Sequence, residues 1–279
     1  MIDIKNINYR YPGSREQVFD AFSLHMDGNR IYGLLGKNGT GKSTMLSLVA
    51  GLLRPQKGTV TVMGAPAAER RAEVLSETFF VSEEFELPAM TLSSYTRLMA
   101  PLYPHFSHDV LQKCLDVFEL PHDMQMQSLS MGQKKKVQIS IALASGTRLL
   151  LLDEPTNGMD IPSKSQFRKI MAESMAVPMD NGEERTIIIS THQVHDVEQL
   201  LDHIVIISNR ELLMDASVAD ITDRYVFEMR PSGQLDDSII YAEPSLQGNI
   251  VMARRDEGDM ETTVNLELLF NAVTKGLVK

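Results

Sequence analysis

The sequence predicts an α/β fold, with a mostly parallel sheet that carries helices on both faces. Strand-like and helix-like segments alternate between residues 31 and 208, a pattern typical of a parallel sheet. The apolar runs RLLLLD (148–153) and TIIIS (186–190) indicate buried strands of that sheet. A glycine-rich segment, GKNGTGKST (36–44), lies between a short apolar strand and a helical pattern. These observations together define the predicted class.

The first part of the chain predicts an antiparallel β subdomain. Polar and apolar residues alternate over 2–9, and a second strand-like stretch at 18–25 follows a turn at 12–14. The next predicted elements are a strand at 31–35, a helix at 42–51, a strand at 59–63 and a strand at 79–81.

A helical insertion is predicted over about 84–145, because its helical patterns have no strand between them. These patterns cover residues 91–102, 108–119 and 133–144. The alternation then resumes with a strand at 148–153, a helix at 161–176, a strand at 186–190, a helix at 194–201 and a strand at 203–208.

The pattern changes near residue 216. Short strand-like pieces at 225–230, 238–242 and 249–254 precede a last helix near 265–275. We therefore predict two parts, a main domain at 1–215 and a small C-terminal α+β appendage at 216–279.

Composition restricts the possible partners and location. The 279 residues carry a formal net charge of −10, which is poorly suited to duplex DNA or bare anionic lipid. We therefore expect no nucleic-acid partner. No segment resembles a signal peptide, and the apolar runs are far shorter than a membrane span. The single Cys114 suits a reducing compartment, so we expect a cytoplasmic protein.

The glycine-rich segment is the first candidate site. Gly36 to Ser43 match the pattern G-x-x-x-x-G-K-[ST] in the strand–loop–helix context that this pattern requires. The glycines let backbone N–H groups turn toward phosphate oxygens, and the helix N-terminus adds its dipole. Lys42 can reach the β- and γ-phosphates, and the Ser43 hydroxyl can ligate Mg²⁺. The alternative is a glycine-rich turn with a chance lysine, which the length of the match disfavours.

Two more candidates follow buried strands, at the end of the sheet where α/β proteins bind ligands. Asp153 would hold Mg²⁺, and Glu154 could orient a water for in-line attack on the γ-phosphorus. His192 follows the strand at 186–190 and could contact the γ-phosphate. Taken alone, the two carboxylates would fit an acidic turn about equally well, and His192 would be better explained as a surface or satisfied histidine.

The segment SLSMGQKKKVQ (128–138) poses an electrostatic question. Ser130 and Gly132 are residue types that open helices, yet the lysines 134–136 follow at once. Cations at a helix N-terminus oppose its dipole by about 0.3–1 kcal/mol each. A docked anion would explain the arrangement, and a solvated lysine face is the alternative. We expect Ser130 and Gly132 to be ligands and the lysines to be mostly solvated.

These motifs together resemble those of the ATP-binding cassettes of ABC transporters. GKNGTGKST resembles the Walker A motif and LLLLDEP the Walker B motif. LSMGQ (129–133) resembles the LSGGQ signature, NGMD (157–160) the D-loop, and STH (190–192) the switch histidine. Order and spacing agree over about residues 1–215. The short cassette with a C-terminal appendage is most similar to the ABC-2 exporter class.

The resemblance implies a P-loop NTPase that binds ATP and Mg²⁺ and hydrolyses ATP as the motor of a transporter. It implies a separate permease chain, which would hold the cassette at the inner face of the cell membrane. Two cassettes, expected to be a homodimer, would sandwich two ATP molecules head to tail. Each site would combine the Walker motifs of one chain with the signature of the other.

The resemblance also implies the role of individual residues. The nucleotide ligands would be Tyr11, Gly36, Lys37, Asn38, Gly39, Thr40, Gly41, Lys42, Ser43, Thr44, Ser130, Gly132 and Gln133. Tyr11 would stack on adenine, with Tyr9 as the less favoured candidate. The catalytic residues would be Glu154, His192 and Lys42, and the Mg²⁺ ligands would be Ser43, Asp153 and Glu83.

Two departures from the family pattern bear on the chemistry. Met131 stands where the signature prefers glycine, and its side chain could loosen a closed dimer. Glu83 takes the place of the Q-loop glutamine, and its charge changes the balance at Mg²⁺.

Other functions fit the sequence less well. Soluble ABC ATPases that act on nucleic acid or ribosomes carry two cassettes or a long coiled coil, and this chain shows neither. A P-loop kinase would leave LSMGQ and NGMD unexplained. Family members meet their permease through the helical insertion, here around 85–106.

Overall fold

The computed structural model describes residues 1–176, 184–231, 236–256 and 258–278. Its centre is a six-stranded sheet of order β10-β9-β3-β8-β7-β6, in which only the β9–β10 pair is antiparallel. The strands are β3 (Ile31–Leu35), β6 (Thr78–Val81), β7 (Leu149–Asp153), β8 (Thr186–Thr191), β9 (His203–Ser208) and β10 (Glu211–Ser217). The mostly parallel sheet predicted from the sequence is confirmed.

An antiparallel sheet of order β2-β1-β4-β5 lies beside the central one, as predicted. Its strands are β1 (Ile2–Tyr9), β2 (Phe19–Met26), β4 (Lys57–Val62) and β5 (Ala65–Pro66). Alternate residues of β1, including Ile2 and Ile4, are buried. This period of two explains why the N-terminal strands were evident in the sequence.

Helices cover the central sheet. They are α1 (Lys42–Val49), α2 (Ala72–Leu75), α3 (Leu92–Met99), α4 (His108–Val117), α5 (Met131–Ala144), α6 (Ile161–Ala176), α7 (Val218–Arg224) and α8 (Leu266–Thr274). One core joins Leu149 and Leu151 of β7 to α1 and the antiparallel sheet. A second core joins Leu150 and Leu152, on the opposite face of β7, to α3–α8. Burial on both faces explains the unbroken apolar run of β7.

The helical insertion is confirmed as α3 to α5, with two helix ends set by side-chain caps. Thr91 accepts a hydrogen bond from the backbone N–H of Ser94, and Ser107 accepts one from Val110. Such caps satisfy N–H groups that the first helical turn leaves free. A short 3₁₀ turn at 100–102 follows α3, so the predicted helix at 91–102 is accurate except for its last turn.

The prediction of one helix at 194–201 is wrong. The structure has two short 3₁₀ turns, at 194–196 and 198–200. Val197 separates them with backbone angles (φ −126°, ψ −9°) outside the helical range. Its side chain is fully buried in the core, so packing overrides the local helical pattern.

The C-terminal part has more structure than the sequence indicated. The strand β10 and the helix α7 were not predicted, and β10 crosses the expected boundary at 215/216. A three-stranded sheet of order β11-β13-β12 follows, with β11 at Tyr225–Arg230, β12 at Ile239–Ser245 and β13 at Gly248–Arg254. Apolar residues of α8 share a core with the central sheet. The division into 1–215 and 216–279 stays a prediction.

Within the described ranges, no helix combines the length and the apolar character needed to cross a bilayer.

The helix α8 is also tied to the 3₁₀ turn that follows β8. The His195 Nε2 lies 2.8 Å from the Glu267 carboxylate, and its Nδ1 lies 3.6 Å from Glu198. The hydrogen bond to Glu267 raises the pKa of His195, partly offset by burial and reinforced by Glu198. The His195 and Glu267 side chains are both largely exposed, so we expect this ion pair to contribute little to stability.

The raised pKa makes this contribution pH-dependent. It is fully present below about pH 6.5, the unfolded-state pKa, and is lost as pH rises through the higher folded-state pKa. We expect Glu267→Gln to lower the unfolding free energy more at about pH 5.5 than at about pH 9, as measured by urea unfolding. A difference from wild type that is equal at both pH values would contradict this.

Candidate functional site

The candidate site lies along the carboxyl-terminal edge of the central sheet. The loops after β3, β6, β7 and β8 all leave the sheet there, because these strands are parallel neighbours. The register pairs Leu35 with Thr191 and Asp153 with Ser190. The segments GKNGTGKST, LLLLDEP and STH are therefore neighbours in space, as the sequence predicted.

The glycine-rich loop wraps around the start of α1. A side chain at Gly36 would lie 2.6 Å from the carbonyl oxygen of Ile207, so only glycine fits. Gly41 caps α1 with φ +102°, a left-handed conformation that other residues rarely adopt. Lys37, Asn38, Gly39 and Ser43 are exposed, and the Thr40 hydroxyl donates to the Lys37 carbonyl at 2.8 Å. The loop thus presents an open backbone surface.

Lys42 is buried at the centre of the site. Its Nζ donates to the carbonyl oxygens of Gly36 at 2.8 Å and Lys37 at 3.3 Å, and lies 3.8 Å from Glu154 Oε1. Burial lowers the pKa of Lys42, and the carboxylates of Glu154, Asp153 and Glu83 act in the opposite direction. The sequence-predicted loop lysine and acidic strand end are therefore in direct electrostatic contact.

Asp153 and Glu154 are buried, and the end of β8 holds both. The Ser190 hydroxyl donates to Asp153 Oδ1. The Thr191 hydroxyl donates to Glu154 Oε2 at 3.1 Å. Buried carboxylates need such partners because an unpaired buried charge is costly. Ser190 and Thr191 belong to the segment TIIISTH. The sequence did not indicate that their hydroxyls contact Asp153 and Glu154, which the structure shows.

The backbone of Glu154 is strained. Its φ is +45°, in the left-handed region that costs a non-glycine residue on the order of 1–3 kcal/mol. The backbone N–H of Asn157 donates to the Glu154 carbonyl at 3.2 Å and closes a turn through Pro155. Strain of this kind is often found where a side chain must be aimed at a ligand.

His192 lies beside Glu154, as its position after β8 predicted. Its Nδ1 is 2.8 Å from Glu154 Oε1, and its backbone N–H donates to Oε2 at 3.4 Å. The His192 side chain is 34% exposed, so the ring lies at the edge of the site and is partly open to solvent. The structure brings Lys42, Glu154 and His192 together around one carboxylate.

Glu83 reaches the site through the D-loop segment. Its Oε1 accepts a hydrogen bond from Asn157 Nδ2 at 3.1 Å. The described residues contain no group of three or more His, Cys, Asp or Glu side chains placed to hold a metal ion. Asp153, Glu83 and the Ser43 hydroxyl offer oxygen ligands only, which fits Mg²⁺, an ion that keeps several waters and binds phosphate oxygens.

The two tyrosines differ in accessibility. Tyr9 is buried, whereas Tyr11 is 44% exposed and packs edge-on against Tyr9 with ring centroids 5.1 Å apart. The Tyr11 hydroxyl lies 2.9 Å from the Thr44 hydroxyl, next to the glycine-rich loop. Of the two, Tyr11 is the one available for stacking on a ligand.

The segment LSMGQ forms the start of α5. Ser130 and Gln133 form a capping box, with the Gln133 N–H donating to Ser130 Oγ at 3.3 Å and the Ser130 N–H donating to Gln133 Oε1 at 3.0 Å. A side chain at Gly132 would lie 3.3 Å from the Gly158 carbonyl, so this helix start packs closely on the D-loop. Met131 is 58% exposed, and its side chain lies next to Gly158.

The expectation that the three lysines of α5 are solvated is wrong for Lys135. This residue is only 2% exposed, and its Nζ donates to the Glu154 carbonyl at 3.2 Å. Lys136 is half-buried and donates to the Phe118 carbonyl at 3.3 Å. The sequence showed a run of three lysines but could not show where each side chain points. The rotation of α5 about its axis decides this.

Comparison with known proteins identifies the family. A family model described as ABC transporter matches residues 19–157. The chain is 31% identical over 222 residues to the ABC transporter ATP-binding protein NatA of Bacillus subtilis (strain 168), covering 76% of this chain and 88% of NatA. It is 24% identical over 226 residues to YtrB, an ABC transporter ATP-binding protein of the same strain, covering 81% of this chain and 75% of YtrB.

Solved structures agree on the fold. A structure described as the ATP-binding subunit of an ABC transporter has a TM-score of 0.68 and 25% identity, covering 79% of this chain and 91% of that one. The dimeric bacterial ABC transporter cassette MJ0796 has a TM-score of 0.66 and 21% identity, covering 78% of this chain and 98% of that one. The chain therefore belongs to the ABC transporter family of ATP-binding cassettes, and it is an ATPase.

Proposed function

We propose that this chain is the ATP-hydrolysing motor subunit of a membrane transporter whose permease is a separate chain. The observation that carries the proposal is the convergence of Lys42, Glu154 and His192 at one sheet edge, beside an open glycine-rich loop. In this proposal residues 1–215 form the cassette and 216–279 an appendage. Relatives such as NatA and YtrB are named as ATP-binding proteins of ABC transporters, which supports the coarse assignment.

The chain's own groups account for ATP binding. The backbone N–H groups of 36–41 and the N-terminus of α1 would hold the phosphates. The Lys42 ammonium lies 3.8 Å from the Glu154 carboxylate, and phosphate oxygens would replace the carbonyl oxygens that it now contacts. Tyr11 would stack on the adenine, and Thr44 positions its ring through their 2.9 Å hydroxyl contact.

The site also suits Mg²⁺, with Ser43, Asp153 and Glu83 as the residues that would hold it. When bound, Mg²⁺ neutralises phosphate charge. The Ser190 hydroxyl orients Asp153 from the neighbouring strand.

Glu154 is the proposed general base. Its carboxylate would orient a water and accept its proton during attack on the γ-phosphorus. Thr191 and His192 hold the two carboxylate oxygens at 3.1 and 2.8 Å, so the group has little freedom to rotate. His192 is exposed at the same edge, from which it could also donate to a γ-phosphate oxygen.

Ser130, Gly132 and Gln133 are proposed to serve the nucleotide of a second copy. They open α5, a separate helix start from the one that follows the glycine-rich loop. Met131 and Ile161 are exposed beside this helix start and the D-loop, as a surface between two cassettes requires. The MJ0796 cassette is described as dimeric, which supports a head-to-tail homodimer here.

The permease contact is proposed at the end of α3. Leu98 and Leu102 are exposed at 63% and 61%, on the segment where the family resemblance places this contact. Binding there would hold the cassette at the cytoplasmic face of the membrane. Export, and the ABC-2 class, rest on the resemblance of the short cassette with its appendage.

The role of Glu154 as general base is tested by substitution. Glu154→Gln keeps the size and hydrogen bonding of the side chain but removes the basic carboxylate. We expect kcat for ATP hydrolysis to fall about 10²- to 10⁴-fold while ATP still binds. Steady-state ATPase assays and nucleotide titration measure the two effects, with Glu84→Gln, exposed and adjacent to Glu83, as the matched control. Near-normal turnover would mean that another group orients the water.

The shared site is tested by mixing two damaged chains, Lys42→Ala and Gly132→Asp. In a head-to-tail dimer, one mixed site combines both lesions and the other joins an intact glycine-rich loop to an intact signature. We expect the mixture to recover ATPase activity that neither variant shows alone. If heterodimers form, as seen by native mass spectrometry, and activity stays absent, the shared-site arrangement is wrong.

The permease contact is tested by Leu98→Glu. A charge on this exposed face should block docking on an apolar partner surface, without affecting the isolated chain. We expect the tagged variant to lose co-purification with a membrane protein from detergent-solubilised source membranes, and to keep its ATPase activity. Leu246→Glu, an exposed leucine in the C-terminal part, is the matched control. If the wild-type chain retains no membrane protein, a permease-independent ATPase is favoured.

A further inference from the structure

Lys135 is a buried cation for which neither the motifs nor the proposed chemistry gives a role. Lysine is almost never fully buried without a partner, because desolvating the ammonium is costly. Lys135 is only 2% exposed, and its Nζ lies 5.5 Å from the centroid of the Phe85 ring. Its hydrogen bond is to the main-chain carbonyl of Glu154, at 3.2 Å.

That carbonyl belongs to the residue with the strained backbone. Glu154 has φ +45°, and its carbonyl accepts a second hydrogen bond from the Asn157 N–H at 3.2 Å. The carbonyl oxygen has two lone pairs, and these two donors can use both. The orientation of the Glu154 carbonyl is therefore held by two donors, the Lys135 ammonium and the Asn157 N–H.

Three carboxylates near Lys135 favour a cation at this point, against the cost of burial. Asn157 contacts two of the glutamates. Its backbone N–H donates to the Glu154 carbonyl, and its side-chain Nδ2 donates to Glu83 Oε1 at 3.1 Å. Burial lowers the pKa of Lys135 below its ordinary value, and Glu83, Asp153 and Glu154, in that order, oppose this shift. Three carboxylates thus compensate the buried ammonium in part, and the ammonium in turn offsets their mutual repulsion.

We propose that Lys135 is a positioning residue for hydrolysis: its ammonium holds the Glu154 carbonyl, and thereby the left-handed turn that aims the Glu154 carboxylate. Lys135 lies in α5, five residues after Ser130, so the helix that opens with the signature also supports the hydrolytic glutamate. The inference rests on the role of Glu154 given under Proposed function.

The test is Lys135→Met, which keeps an unbranched chain under Phe85 and removes the ammonium. We expect kcat to fall about 10- to 100-fold, since a misplacement of about 1 Å can cost that much. The KM for ATP and the nucleotide dissociation constant should stay within about threefold of wild type. The unfolding midpoint should be unchanged or higher, because replacing a buried charge with an apolar side chain is often neutral or stabilising.

Hydrogen–deuterium exchange gives a readout that does not depend on activity. Peptides that cover 154–160 should exchange faster in Lys135→Met, since the turn closed by the Asn157 N–H loses its support. Peptides from β8 should not change. Lys169→Met, an exposed lysine of α6, is the matched control and should behave as wild type in every measurement.

The outcomes separate this inference from the assignment of Glu154. If Glu154→Gln is inactive but Lys135→Met keeps kcat within twofold and the same exchange, Lys135 is not a positioning residue. A lower unfolding midpoint with unchanged kcat would assign it a purely structural role and overturn the proposal. If Glu154→Gln itself keeps normal turnover, the proposed function fails first. Should Lys135→Met not fold, Lys135→Gln is subjected to the same criteria.

Discussion

The Glu154 residue is the point on which the site depends, because its carboxylate and its carbonyl are both committed to contacts from other elements. The carboxylate is contacted from α1 by Lys42 and from the end of β8 by His192. The carbonyl is contacted from α5 by Lys135. One residue in a strained conformation thus contacts the helix α1 that follows the glycine-rich loop, His192 after β8 and Lys135 of α5.

Charge balance explains why two lysines are buried near this residue. Asp153 and Glu154 are buried, and Glu83 approaches from the loop after β6. Placing carboxylates close together in a region of low dielectric is unfavourable unless cations or hydroxyl donors accompany them. Lys42 and Lys135 supply the positive charge, and hydroxyls at the end of β8 supply the hydrogen bonds. Glu83 is held by the side-chain amide of Asn157 and lies near enough to both lysines to act on their pKa values.

The C-terminal part is integrated with the cassette and does not merely follow it in sequence. The apolar face of α8 is buried in the core that also holds β9, and its Glu267 contacts His195 in the turn after β8. The C-terminal helix therefore contacts a residue that follows His192 by three positions. The strand β10 extends the central sheet before the chain continues into α7.

The sequence by itself determined the α/β class, the strands β3, β7 and β8, and the loops that carry Lys42, Asp153, Glu154 and His192. These predictions succeeded because apolar runs and glycine spacing are local signals, and parallel strands place their loops at one edge. The sequence could not determine that 194–201 breaks into two 3₁₀ turns, since the burial of Val197 is a tertiary constraint. Nor could it show which lysine of the run 134–136 points inward. The rotation of α5 about its axis decides that, because a helix turns each successive residue by about 100° and, of the three lysines, only Lys135 contacts the Glu154 carbonyl.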